Sequence, residues 1–250
     1  MSPRRTDPPR DERGDGRNHR ENPAALDTAL PLRAPSAASR AAAGAIAVIA
    51  WIAFGAQTDV TLHRLAMRGF GLVEGLERLT SYLTNLTVLA VAIAFTCIAI
   101  GARARLARFF RHPPVITAVV VYMVFVGLAY NLLLRYLWTP SGLRALLNET
   151  LHSILPLLCA LYWVMFVPRF TLVLRDCLLW LVYPLCYLFV TLWRGSATDF
   201  YPYPFIDVEQ LGYPRVLFNA LLLLFGFIGL MLVFVAINAR RGRGHRGDDA

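Results

Sequence analysis

Apolar residues in this chain fall into six blocks, at 41–56, 82–102, 115–134, 146–167, 172–193 and 216–237, each bounded by polar or arginine-bearing stretches. A helix needs about 20 apolar residues to cross about 30 Å of hydrocarbon, and blocks of about 16 to 22 residues meet that requirement. Spanning β-strands would be about half as long and would alternate polar with apolar residues, which these blocks do not. The bilayer core offers no water to a bare amide, so a continuous helix is what each block can form. The expected fold is an all-α integral membrane protein, a bundle of six transmembrane helices over 39–238. A disordered, arginine- and proline-rich tail is expected at 1–38 and a basic tail at 239–250. The alanine-rich first block is the shortest, and the count would fall by one if it did not cross. Between it and the second block, Leu72, Leu76 and Leu79 recur at helical spacing, which predicts a short helix lying in the interface.

Composition agrees with this fold and sets the orientation. The chain is 57% hydrophobic, well above a soluble domain of its 250 residues. Its net charge of +9 comes from 25 basic residues, every one an arginine. They cluster at the ends of the blocks, which points to membrane orientation and not to nucleic acid. Of the 25, 18 fall on the side holding both tails and the second and fourth connections, and 7 on the other. The arginine-rich side is cytoplasmic by the positive-inside rule, so both termini are expected inside a multi-pass protein of the cell membrane. Cys97, Cys159, Cys177 and Cys186 all sit within apolar blocks, without CxxC spacing, and read as buried small side chains. No metal ligand set and no cofactor motif is present in the pattern.

The fourth block carries His152 where hydrocarbon is expected, and an ionisable group in a span marks a functional site by default. Four residues later Pro156 has no N–H for the carbonyl of His152, so the helix should bend or loosen there. In the expected topology Thr84 lies in the first turn of the descending second span. His152 lies about six residues into the descending fourth span, roughly 9 Å along it. A hydroxyl and an imidazole at one depth suggest a nucleophile and its base. Asn148 and Glu149, four and three residues before His152 on nearly the same face, could hold the imidazole tautomer. The fifth connection, on the same side, brings Tyr201, Tyr203, Asp207 and Glu209 over the pair. A plainer reading stands beside this one: His152 as a hydrogen bond between helices, Thr84 bonded to its own preceding carbonyl, and the tyrosines as an interfacial aromatic belt.

Four ordered runs, SYLTNLTVL at 81–89, NETLHSILP at 148–156, YPLCYLFVTLWRG at 183–195 and YPYPFIDVEQLGY at 201–213, together resemble the Pr-six-Pr family of bacterial six-span membrane proteins. That family is similar to the androgen-induced family of animal membrane proteins, threonine hydrolases of fatty-acid esters of hydroxy fatty acids. The resemblance covers roughly residues 41 to 237. It implies a threonine nucleophile at Thr84, an essential histidine at His152, and hydrolysis without a cofactor. It assigns no oxyanion hole. Leu83 stands where the family's run usually has an aromatic residue, and Thr87 and Val88 where it usually has a polar pair, departures that bear on the shape of the substrate.

Two functions follow as expectations. One is hydrolysis of lipid-like carboxyl esters in the outer leaflet, with membrane lipids as surroundings and a lipid-like ester as substrate. The other is non-catalytic lipid binding or transport, with His152 lining a polar cavity.

Overall fold

The structure is a computed structural model that describes residues 35–101, 104–170 and 174–243, without the side chains of 174–176 and 241–243. Residues 1–34 and 244–250, which hold most of the two expected tails, lie outside the described residues. Among the described residues the fold is all-helical, without strands, and six helical segments are long and apolar enough to cross a membrane. The chain is thus a multi-pass helical protein by the length and composition of its helices.

The first span, α1 (Ala37–Ala66), is 30 residues long, so it extends ten residues past the apolar block that announces it. Its polar second half remains helical because it satisfies itself. The hydroxyls of Thr58 and Thr61 donate to the carbonyls of Phe54 and Gln57, both at 2.8 Å, and His63 and Arg64 in the last turn favour the negative end of the helix dipole. The short helix expected between the first two blocks is α2 (Leu72–Thr80), correspondingly shorter than the 57–81 stretch. The second span is α3 (Leu83–Ile100), closed by Gly101 in the left-handed region at φ 65°. Arg40 Nε of α1 donates to the Ala99 carbonyl at 2.9 Å and so caps that end of α3. A short α4 (Arg105–Arg111) carries the arginine cluster to α5 (Pro113–Ala129), which opens with prolines at its first positions.

From α5 onward the helices are interrupted where the sequence carries chemistry. α5 passes through a π-helical turn at Tyr130–Leu134 and a 3-10 turn at Arg135–Leu137. The fourth span is α6 (Leu143–Glu149), a second π-helical turn at Thr150–Ile154, and α7 (Leu155–Phe166). The fifth begins in α8 (Leu174–Trp180) and continues as α9 (Val182–Thr198). The last, α10 (Val208–Arg243), is broken near its start by Gly212, at φ 72°, and by Pro214.

α1, α3, α5 and α7 pack as a ring, α1 on α3, α3 on α5, α5 on α7 and α7 back on α1. Small residues let α1 lie close along α3, with Ala43, Ala47, Ala50 and Ala53 of α1 and Ala92 and Ala94 of α3 all buried. Deeper in the core the Trp163 indole donates to the Thr117 hydroxyl at 2.8 Å, which satisfies both buried polar groups.

Candidate active site

Pro156 organises the site. Without an N–H at 156 the His152 carbonyl loses its helical partner, and the chain widens into the π-turn at Thr150–Ile154 just before the proline. The freed carbonyl accepts a hydrogen bond from Asn131 Nδ2 of the facing π-turn at 2.9 Å, and the same amide donates to the Gly127 carbonyl at 2.8 Å. Gly127 has no side chain because there is no room for one. A Cβ there would sit 2.7 Å from Pro156 Cγ and 2.9 Å from the His152 carbonyl oxygen. The two π-turns therefore lock together, and Tyr130 stacks on the His152 ring with centroids 3.8 Å apart.

That lock fixes the imidazole. His152 Nδ1 lies 3.0 Å from the Asn148 carbonyl oxygen. A carbonyl can only accept, so Nδ1 carries the proton of the neutral ring and Nε2 presents its lone pair. Nε2 faces the Thr84 hydroxyl, 3.4 Å away, which donates toward it. The backbone of residue 148 thus orients the ring, and the Asn148 side chain is buried in the wall of the cavity beside it. Glu149 is committed elsewhere, to an ion pair with Arg135 and to a 2.7 Å hydrogen bond from the Ser153 hydroxyl.

Thr84 differs from most of the helical threonines. Thr58, Thr61, Thr80, Thr87, Thr96, Thr117, Thr150 and Thr198 each donate to the carbonyl four residues earlier, the usual fate of a hydroxyl in a span. Thr84 occupies the second position of α3, just after the 81–82 turn, and reaches across to His152 instead. The turn that places it is fastened from several sides. Asn85 Nδ2 donates to the Leu79 carbonyl at 2.8 Å, the Tyr187 hydroxyl donates to the Ser81 carbonyl at 2.7 Å, and Arg194 pairs with Glu77 at 3.2 Å.

The pair opens onto a cavity of about 700 Å³. One part of its lining is apolar and aromatic, including Phe125, Leu188, Leu223 and Phe227. The rest includes four arginines, Arg64, Arg68, Arg78 and Arg144, and no carboxylate among the described lining residues. Arg78 lies over the Phe200 ring, 3.3 Å from its centroid. A neighbouring cavity of about 450 Å³ lies behind Tyr187 and Phe200, which line both.

The 199–207 connection divides its expected residues. Tyr203 lines the cavity, edge-on to Tyr82 at 5.8 Å and stacked on Phe205 at 5.2 Å, with its phenol beside the Thr84 hydroxyl. Tyr201 lies instead against Gly195, its ring filling the space a Cβ would need. Asp207 caps α10, accepting from Gln210 N at 3.1 Å and from Gln210 Nε2 at 2.7 Å. Neither Tyr201 nor Asp207 lines the cavity.

Sequence reasoning passes over Gly127, Tyr130, Asn131 and Tyr187. A signal for the first three exists in hindsight, a glycine and an asparagine four apart with a tyrosine beside the asparagine, in an otherwise uniform apolar block. No family model, curated protein or solved structure matches the chain.

Proposed function

We propose that the protein is a membrane-embedded hydrolase of lipid-like carboxyl esters, with Thr84 as nucleophile and His152 as base. The observation that carries this reading is the contact between the Thr84 hydroxyl and the unprotonated nitrogen of His152 at the wall of a large, mostly apolar cavity. A threonine hydroxyl is a weak nucleophile until a neighbour takes its proton, and a neutral imidazole in this tautomer is suited to do so.

As Thr84 Oγ1 attacks the ester carbonyl carbon, its proton passes to His152 Nε2 and the carbonyl π pair moves onto oxygen. Collapse of that tetrahedral species breaks the bond to the alcohol oxygen, which takes the proton from Nε2 and leaves an acyl-threonine. Water then attacks the acyl carbon, His152 accepts one of its protons, and the bond between the acyl carbon and Thr84 Oγ1 breaks. The proton returns to Thr84 and the fatty acid is released. The 3.4 Å separation is longer than a good hydrogen bond, and such contacts tighten when substrate closes the site.

The cavity indicates the class of ester. An acyl chain suits the apolar part, and four arginines without a carboxylate favour a substrate that also carries a negative charge. Its lipid surroundings would concentrate such an amphiphile at the site, reducing the entropy of encounter.

The proposed topology, with both termini cytoplasmic and the site in the outer leaflet of the cell membrane, fits the uses of six of the 7 outer arginines. Arg64, Arg68, Arg78 and Arg144 line the cavity, and Arg135 and Arg194 are paired with Glu149 and Glu77. These residues have local roles that oppose the general excess of arginine inside.

The test is labelling by a fluorophosphonate probe in detergent. Wild type is expected to label, and Thr84→Ala and His152→Ala are not, with all three monodisperse. Labelling of Thr84→Ala equal to wild type would remove the nucleophile. A protein that bound lipid but never labelled would belong to the binding or transport class.

A further inference from the structure

Hydrolysis through Thr84 needs a donor for the carbonyl oxygen as it becomes an oxyanion, and the resemblance supplies none. Most polar groups around the pair are already committed. The Tyr187 hydroxyl donates to the Ser81 carbonyl at 2.7 Å, Asn85 Nδ2 to the Leu79 carbonyl at 2.8 Å, and Asn131 Nδ2 to the carbonyls of Gly127 and His152. The Asn148 amide lies on the His152 side, one turn from the base. Tyr203 approaches from a different element, the 199–207 connection, and its phenol lies beside the hydroxyls of Thr84 and Tyr187.

We propose that the Tyr203 hydroxyl is the catalytic donor that holds the ester carbonyl oxygen as negative charge develops on it. The inference rests on the Thr84 and His152 reading and adds a third group to it.

The surroundings of Tyr203 suit a donor. Its ring is held by Tyr82 on one side and Phe205 on the other, so the hydroxyl is aimed before substrate arrives and little reorganisation is required. Its phenol lies beside Leu83 and Thr84 at the start of α3, where Tyr82 at the N-cap makes no side-chain capping hydrogen bond. Burial raises the phenol above its ordinary value, more than the neighbouring Thr84 hydroxyl lowers it, so the proton stays in place at neutral and mildly alkaline pH. The proton is shared with the oxyanion and not transferred. When the tetrahedral species collapses, the electron pair returns to the carbonyl and Tyr203 keeps its hydrogen.

The experiment uses the full chain in detergent with a p-nitrophenyl ester of a medium-chain fatty acid, and with its thionoester, whose C=S sulfur accepts hydrogen bonds poorly. Tyr203→Phe keeps the ring packing and removes only the donor. The expected result is a kcat lower by about 10²-fold, the usual loss for one oxyanion donor, with KM nearly unchanged. The preference of wild type for the oxoester over the thionoester should shrink by a similar factor, a change that mere loosening of the fold would not produce. A folded Tyr203→Phe with wild-type kcat, or with the oxoester preference intact, overturns the donor role and leaves the Thr84 reading standing. A wild type that neither labels with fluorophosphonate nor hydrolyses either ester removes that reading, and the inference with it. Should Tyr203→Phe not fold, 3-fluorotyrosine at position 203 preserves the packing and alters the donor strength. A changed kcat at constant KM then supports the role, and an unchanged kcat overturns it.

Discussion

The two sides of the bundle are built to different standards. The apolar stretches of α3 and α5 are 50% and 56% buried, whereas those of the fifth and sixth spans are each only 17% buried. α3, α5 and α7 interlock through small residues, a proline knuckle and matched polar pairs. α9 and α10 instead turn Phe189, Trp193, Phe218 and Phe225 outward. The groups proposed to react come from the packed side, Thr84 on α3 and His152 before α7. The opposite cavity wall, with Leu188, Leu223 and Phe227, comes from the loose side. Chemistry needs atoms held to fractions of an ångström, whereas admission of a long chain needs helices that can part. The fold separates these demands between its two halves.

The largest effect is expected from removing the pair itself. Thr84→Ala and His152→Gln should each lower ester hydrolysis by about 10³-fold or more, as loss of a nucleophile or its base does in comparable hydrolases. Because the Thr84 hydroxyl makes no hydrogen bond within its own helix, Thr84→Ala should unfold within a few degrees of wild type by a thermal melt in detergent. A collapse in stability alongside the loss of activity would mean that Thr84 serves the packing.

The next largest effect comes from the lock between the π-turns. Gly127→Ala places a methyl group inside contact distance of Pro156 and of the His152 carbonyl, and overpacking of this kind costs about 1 to 3 kcal/mol. Activity should fall as well, since the displaced carbonyl belongs to the residue that carries the base. Asn131→Leu leaves that carbonyl without its donor and should cost about 1 to 3 kcal/mol for a buried unsatisfied group. If either variant matched wild type in melting temperature and kcat, the packed side would not be what fixes His152.

The sequence shows the spans and the pair more clearly than it shows what holds them. Six blocks of apolar residues are visible because the bilayer imposes a length on each helix. Pro156 and His152 are conspicuous because each is unfavourable in a span. Thr84 is found through its depth and its motif, since a threonine in a helix otherwise looks ordinary. Gly127 and Asn131 are hidden for a different reason. Their roles are defined by a carbonyl on another helix, and no local pattern records which residue across the bundle has lost its hydrogen-bond donor. The orienting group of His152 is similarly hidden, because it is the backbone carbonyl of residue 148, which any side chain there would supply. Asp207 is a case in which the local signal was present, since an aspartate three residues before a glutamine at a helix start is a capping pattern.

The smallest effect is expected on the loose side, and it sharpens the comparison most. Phe225→Ala and Leu222→Ala truncate large side chains that project outward from α10, 60% and 54% exposed. In a soluble protein their exposure would invite aggregation, and in a bilayer they meet chains as apolar as themselves. Truncation forfeits contacts with lipid that the unfolded, inserted helix also makes, so the difference between states should be near zero. Each variant should melt within about 0.5 kcal/mol of wild type, the usual range for a surface position. Phe227→Ala, two residues from Phe225 and buried against Tyr122 and Phe125, provides the internal contrast. A cost of about 3 to 5 kcal/mol is ordinary for a truncated core phenylalanine. If Phe225→Ala were as damaging as Phe227→Ala, the outward face of α10 would be packed against protein, and the loose side would be an interface instead of a wall open to lipid.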